Sequence, residues 1–381
     1  MKFLHTSDLH IGLKLCEQPM NDEIAYLLDE IVSAAVGNDC SAVVIAGDIY
    51  DRSNPSPDSI KLFDDFVSKL VGNNITVIAI SGNHDSAERI GCFSGILKKS
   101  GVYFSTPFDG KTNKVRLYDE YGAVNFIMLP FVKPSVCEIY ADENITSYTD
   151  AVRYQLECSD CDKSERNVVA AHCYTGDRAY GKTEDDEAGG TGYISPEVFD
   201  DYDYTALGHL HTAHNAGDKI WYSGSVLRCS FAEREPVKSV NIVTLLEKGN
   251  LTVEQVQLKP MHEIRELRGT YDELTSLEVR QSVEDGDYIK AVLTDDDDIP
   301  DVVMKLRIIY PNLLTLSYDN KRTQDTSIDS DEVVGKITDS FTPEDVFAEL
   351  YELQNGVTPT DEIKKIVSDI FTEGVVQREA D

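Results

Sequence analysis

Five short segments carry residues able to hold cations and face phosphate. They are Asp8-Leu9-His10, Gly47-Asp48-Ile49-Tyr50-Asp51, Gly82-Asn83-His84-Asp85, Ala171-His172 and Gly208-His209-Leu210-His211. Five of the eight histidines fall within them, which random scatter does not produce. Asp-x-His and His-x-His place two side chains on one side of an extended backbone, because side chains alternate along a strand. Carboxylate, imidazole and amide oxygen together suit borderline divalent ions such as Mn2+, Fe2+ or Zn2+. No thiolate accompanies them, which argues against a closed structural zinc site. Seven candidate ligands are too many for one ion. With one carboxylate shared they suffice for two ions roughly 3.5–4 Å apart, the arrangement of phosphoryl chemistry. Gly-Asp and Gly-Asn alone also make ordinary turns; the specificity lies in all five segments in this order. His5, His214 and His262 lie outside the set and read as structural residues.

The elements that must position these residues read as strands, each ending at one of the segments. Lys2 to Thr6 is a short apolar strand, Ala42 to Ala46 a buried one and Ile75 to Ile80 a third. Between them, Ile24, Leu27, Leu28, Ile31, Val32 and Ala35 follow the helical rhythm, as do Ile60, Phe63, Val67 and Leu70 after the Ser56-Pro57 cap. This spacing predicts parallel βαβ units with helices covering the sheet faces. In open α/β sheets the loops at carboxyl strand ends converge on one crevice, where a site can form. Further strands read at Val124 to Leu129, Val168 to Ala171, Tyr204 to Leu207, Ile220 to Tyr222, Val240 to Leu246 and Leu251 to Leu258. Without evident helices between them, these are expected to be antiparallel additions. The predicted fold class is α/β, a two-layered β core flanked by helices over residues 1–258. A small α+β module of strand, helix, strand, helix, strand follows over 259–319. Residues 320–340 read as a polar, acidic linker. Residues 341–381 read as a helical hairpin with apolar stripes through Val346, Phe347, Leu350 and Tyr351, and through Ile363, Ile366, Val367, Ile370 and Phe371. Those stripes either pack on their own domain or form a docking surface for a partner.

The chain of 381 residues is too long for one ordinary core. Its 41% hydrophobic content excludes a wholly disordered polypeptide. No run approaches the ~18 apolar residues of a membrane span, and Met1 to His10 lacks the pattern of a secretory signal. Eight dispersed cysteines do not make a disulfide scaffold, so a soluble, cytoplasmic protein with reduced thiols is expected. The formal charge of −33 repels polyphosphate at long range. A nucleic-acid substrate would therefore need metal ions, local basic groups or a partner to supply attraction.

The ordered set DxH, GDxxD, GNHD, H and GHxH resembles the calcineurin-like metallophosphoesterase superfamily, and within it the SbcD-type bacterial exonuclease subunits. KFLHTSDLHIG, AGDIYDRSNPSP, GGTGYISPEVFDDYDYTALGHLHTAH and YSGSVLRCSFAE carry the resemblance, with DYIKAVLT, KLRIIYPNLLTL and FAELYELQNG beyond. It is weakest between Tyr103 and Asn167. The resemblance implies that Asp8, His10 and His211 hold one metal, Asn83, His172 and His209 a second, and that Asp48 bridges them. It implies that His84 stabilises the phosphate or protonates the leaving 3′ oxygen, with Asp85 orienting its ring. Asp51, where eukaryotic and archaeal relatives often show histidine, reads as a carboxylate standing behind a ligand imidazole.

The same resemblance implies two Mn2+ ions, 3′ to 5′ double-strand exonuclease and single-strand endonuclease activity, and a role in DNA repair through end processing and hairpin removal. Its implied partners are DNA and an SbcC-type coiled-coil ATPase, with a homodimer inside a heterotetramer. In that setting residues 259–319 would cap the DNA path and 341–381 would dock the ATPase. A stand-alone phosphoesterase for nucleotides or small phosphoesters would share the motifs but not need the C-terminal third. A scaffold that had lost activity is disfavoured by the complete ligand set. The acidic loop Thr175 to Ser195 reads as solvated, or as a segment that rearranges when a partner or DNA arrives. Cys158 and Cys161 lack a second metal-binding pair and read as surface residues; Arg52, Lys98 and Lys99 are too few to define a DNA-binding patch.

Overall fold

The computed structural model describes residues 1–176, 192–231, 233 and 237–320, together with 347–348, 351, 358–360 and 363–368. The chain divides into two compact units, Met1–Arg265 with Glu284–Ile289, and Glu266–Val283 with Lys290–Asp381. The greater part of the acidic loop, the linker beyond Asn320 and most of the expected hairpin, including Val346, Leu350, Ile370 and Phe371, lie outside the described residues. No helix among the described residues is long and apolar enough to cross a membrane.

The first unit opens with β1 (Lys2–Thr6) and a small hairpin, β2 (Lys14–Leu15) and β3 (Gln18–Pro19). Helix α1 (Asn21–Gly37), β4 (Ala42–Ala46), α2 (Pro57–Gly72), β5 (Thr76–Ile80) and β6 (Val102–Phe104) follow. The expected start of α2 is present: the Ser56 side chain accepts a hydrogen bond from the Ser59 N–H, and Pro57 occupies the first turn, where no N–H is needed. Strands β1, β4, β5 and β6 run parallel. On the other side of β1 lie β13 (Lys238–Leu245) and β14 (Leu251–Leu258), both antiparallel to their neighbours, completing a six-stranded sheet.

The second six-stranded sheet contains β7 (Asn113–Asp119), β8 (Gly122–Met128), β9 (Arg166–His172), β10 (Tyr204–Gly208), β11 (His214–Gly217) and β12 (Ile220–Tyr222). Here the expectation of antiparallel additions is corrected. β8, β9, β10 and β12 are parallel, and only the outer strands β7 and β11 are antiparallel. Parallel neighbours need a crossover of a dozen or more residues. The β8–β9 crossover carries helix α3 (Tyr148–Glu157), held by a Ser147–Asp150 capping box. Its buried face, Ala151, Val152, Gln155 and Leu156, is interrupted by a glutamine and too short to show a clear helical period in the sequence.

The two sheets stack face to face, and strand alternation decides which residues meet. Val124, Phe126, Met128, Val168, Ala170, Tyr204 and Ala206 point inward to meet Phe3, Val44, Ile78, Ile80 and Val243 in one buried cluster. The intervening Ile127, Val169, Ala171 and Leu207 point outward and pack under Val152 and Leu156 of α3. Arg166, 3% exposed, ties the two layers together at one end: it pairs with Asp119 and donates to the carbonyls of Gly122 at 2.8 Å and Leu246 at 2.7 Å. Arg166→Met should lower unfolding free energy by about 3 kcal/mol, because it removes the buried guanidinium from Asp119 and from the Gly122 and Leu246 carbonyls. A urea midpoint equal to wild type would show that the arginine is not a structural tie.

The second unit contains most of a three-stranded sheet in the order β15 (Ile264–Gly269), β16 (Tyr288–Leu293), β17 (Leu313–Tyr318). The expected helix between the first two strands is broken into α4 (Tyr271–Leu274) and α5 (Leu277–Gln281) because Thr270 and Ser276 each cap a separate start; α6 (Val302–Ile309) precedes the last strand.

Candidate metal centre

The five segments follow β1, β4 and β5 in one layer and β9 and β10 in the other, and they meet at one edge of the stack. Their backbone is not the extended one expected for Asp-x-His and His-x-His, because β1 ends at Thr6 and β10 at Gly208 and the chain turns sharply beyond each. Asp8 (φ 51°), His10 (φ 43°), Asp48 (φ 48°) and His209 (φ 98°) all occupy the left-handed region. For non-glycine residues this costs on the order of 1–3 kcal/mol each and persists only when the surroundings enforce it. The enforcement is visible. The Asp8 N–H donates to the Gly47 carbonyl at 3.0 Å, the His10 N–H to the Asp48 carbonyl at 3.1 Å, and the His209 N–H to the Asp8 carboxylate at 3.1 Å. Two glycines permit the close approach. A Cβ at Gly82 would stand 2.1 Å from Asp48 Oδ1, and one at Gly208 would stand 2.2 Å from the Ala46 carbonyl oxygen.

The side chains form two adjoining clusters. In one, Asn83 Oδ1 lies 3.0 Å from His172 Nε2 and 3.2 Å from His209 Nδ1, while Asp48 Oδ2 lies 3.2 Å from His172 Nε2. In the other, His10 Nε2 and His211 Nε2 are 3.1 Å apart, and His10 Nε2 is 3.9 Å from Asp48 Oδ2. Ligand atoms of Asp8, Asp48 and His172 all lie within 4.8 Å of one another, so Asp48 sits between the clusters. Donors ~2.0–2.2 Å from one cation stand about 3 Å apart when adjacent, so this donor set fits divalent ions.

The rings are aimed by their far nitrogens. A carbonyl can only accept, so His172 Nδ1–H donates to Ala46 at 2.8 Å and turns Nε2 inward. His211 Nδ1 is 3.1 Å from Glu233 Oε1, which turns its Nε2 toward His10. His84 Nδ1–H donates to the Asp51 main-chain carbonyl at 2.9 Å, and its Nε2 stands 4.0 Å from Asp48 Oδ2. His10 Nδ1 is buried without a hydrogen bond; the Asp51 carboxylate faces it at 3.9 Å, too far for one.

Asp85 does not hold the His84 ring, contrary to the expectation from adjacency. Its oxygens accept the N–H groups of Ile49 (3.0 Å), Tyr50 (2.9 Å) and Gly82 (2.9 Å), fastening the loop after β4 to the loop after β5. Successive residues in a turn point different ways, so neighbours in sequence need not pair. Burial, with Asp48 nearby, pushes the Asp85 carboxyl up to about 6.

Charge is set by the same geometry. Burial would raise Asp48, but His172 and the other facing imidazoles hold it well below the usual carboxylate range. Burial opposes protonation of His172 too, and Asp48 outweighs it, raising His172 to about 9. His10, with burial and His211 against its charged form, falls to about 3. Two residues absent from the sequence-based set complete the surroundings. Glu233 bonds His211, accepts the Lys238 ammonium at 2.6 Å and the Cys229 N–H at 2.9 Å; against its burial, His211 and Lys238 hold it at about 2. Cys229 places Sγ within 4.8 Å of the ligand nitrogens of both His10 and His211. Both lie in an irregular stretch before β13, where no periodicity marks them; the segment YSGSVLRCSFAE, which contains both, is the available signal.

The chain is similar to several known proteins. The SbcD component of the SbcCD nuclease of Staphylococcus epidermidis is 29% identical over 326 residues, which is 83% of this chain and 85% of that one. A dimetal phosphatase from Danio rerio has 12% identity and a TM-score of 0.40, covering 68% of this chain and 96% of that structure. Residues 259–355 match the type 5 capsule protein repressor C-terminal domain. Residues 1–213, holding all five segments, match the calcineurin-like phosphoesterase family. The chain therefore belongs to the calcineurin-like phosphoesterases, enzymes that hydrolyse phosphoesters.

Proposed function

We propose that this enzyme is the nuclease subunit of an SbcCD-type complex, cutting DNA as a 3′ to 5′ double-strand exonuclease and single-strand endonuclease in end processing, repair and hairpin removal. The observation that carries the reading is the meeting of seven donors, Asp48 central among them, from five distant segments. The likeness to a component of SbcCD, which continues past the phosphoesterase region, supports DNA over a small ester. Asp8, His10 and His211 would hold one cation, Asn83, His172 and His209 the other, and Asp48 both. Two Mn2+ ions would supply a water nucleophile active at neutral pH and neutralise charge on the phosphate.

The remaining chemistry belongs to the protein. Asp8, His10, Asp48 and His209 are held in their left-handed backbone conformation by the surrounding hydrogen bonds before any cation arrives. The His84 side chain is 30% exposed where Asp48 is 3% exposed, so it opens toward substrate while the bridging carboxylate stays enclosed. With Nδ1–H committed to the Asp51 carbonyl, its Nε2 is the atom that stabilises the phosphate or delivers a proton to the leaving 3′ oxygen. Asp51 serves behind His10, and Asp85 holds Asp48 and Asn83 in register through their loops. An SbcC-type ATPase, docked by residues 341–381 on a homodimer within a heterotetramer, supplies the DNA-binding surface that an acidic chain lacks, and residues 259–319 cap the path.

The test is cleavage of an end-labelled duplex beside p-nitrophenyl phosphate, in Mn2+, with and without the ATPase. Stepwise loss of 3′ nucleotides, enhanced by the ATPase and weakened by added salt, is expected. Rapid hydrolysis of the small ester with the duplex left intact would assign the enzyme to stand-alone phosphoesterases instead.

A further inference from the structure

We infer that Cys229 is an additional ligand of the first cation site, which therefore accepts a thiophilic divalent ion such as Zn2+ or Co2+ through His10, His211 and Cys229. The inference deepens the two-cation reading above and rests on it for the place of the ion between His10 and His211. Three ligand atoms from three parts of the chain lie within 4.8 Å of one another, two of them imidazole nitrogens 3.1 Å apart. Bond lengths of ~2.3 Å to sulfur and ~2.0–2.1 Å to nitrogen put such atoms about 3.5 Å apart around a tetrahedral ion, so a modest turn of the cysteine side chain brings it into range.

The thiol is held near this position. The Cys229 N–H donates to Glu233 Oε1, the same oxygen that faces His211 Nδ1, so one carboxylate sets the place of both residues. Sγ stands 3.5 Å from the Leu227 carbonyl, a weak contact that ligation would exchange for a metal–sulfur bond as the thiol proton passes to solvent. Thiolate sulfur selects zinc-like ions over Mn2+ and Mg2+, which prefer oxygen. Oxygen and imidazole donors alone give the catalytic pair little such preference; Cys229 adds it at one of the two positions. The second cluster has oxygen and nitrogen donors only, so the two sites differ in the ions they retain.

Cobalt(II) titrated into the full-length, chelator-treated chain reads this directly. A near-ultraviolet sulfur-to-cobalt charge-transfer band should appear in wild type and be absent from Cys229→Ser at equal bound cobalt. In parallel, Zn2+ should slow iodoacetamide labelling of Cys229, followed by peptide mass spectrometry, at least about tenfold, while Mg2+ leaves it nearly unchanged. Bound cobalt without the band, or a band that persists in Cys229→Ser, would overturn the cysteine ligand and leave the two-cation reading standing. No cobalt bound at all would overturn both.

Discussion

Asp48→Ala should abolish binding of two Mn2+ ions and lower phosphodiester cleavage by at least about a thousandfold, with the circular dichroism of the fold retained. The carboxylate stands between the two donor clusters, 3.2 Å from His172 and 3.9 Å from His10. It is also the group that keeps His172 charged against burial. Removing it takes away the shared anionic donor, leaving Asp8 as the one carboxylate among the assigned ligands and the Asn83 cluster with no anionic donor at all. Because Asp48 already has a left-handed backbone and its Oδ1 accepts the His84 N–H at 2.9 Å, the variant also loosens the approach of the Gly82 loop. Equilibrium dialysis with Mn2+ measures the stoichiometry; two ions bound with wild-type affinity would show that the bridge is misassigned.

His84→Gln separates chemistry from binding. Glutamine can still donate to the Asp51 carbonyl but cannot deliver a proton near neutral pH. The variant should bind two Mn2+ ions and cut about 10²–10⁴-fold more slowly. The loss should lie in kcat, since the ring acts on charge that develops at the leaving oxygen. A fall in bound metal would instead make His84 a ligand.

What is legible in the sequence follows from how local each signal is. Asp-x-His and His-x-His act within three residues, and the strands β1, β4 and β5 advertise themselves by continuous apolar runs. The crossover α1 and the cap at Ser56 are equally short-range. The second sheet is harder to read, because the direction of β9 relative to β8 depends on a crossover whose helix α3 shows little periodicity. Asp85 departs from expectation for a related reason: it bonds N–H groups of Ile49 and Tyr50, more than thirty positions away, and a backbone partner leaves no trace in residue type. Glu233 and Cys229 fall within YSGSVLRCSFAE, but their roles escape a sequence reading because the stretch is irregular and they acquire meaning only when the layers stack. The five motifs contain no thiol, yet the fold brings one beside them from outside their reach.

The clasp that Asp85 makes across two loops has a consequence for how the enzyme loads its ions. The loops carrying Asp48 and Asn83 are stitched together through two main-chain amides, those of Ile49 and Tyr50, so they behave as one jaw. The entropy of bringing those two donors together has already been spent when the polypeptide folds, and cation uptake need not supply it. Capture of the second ion should then be limited by shedding its hydration shell, with loop closure contributing nothing to the barrier.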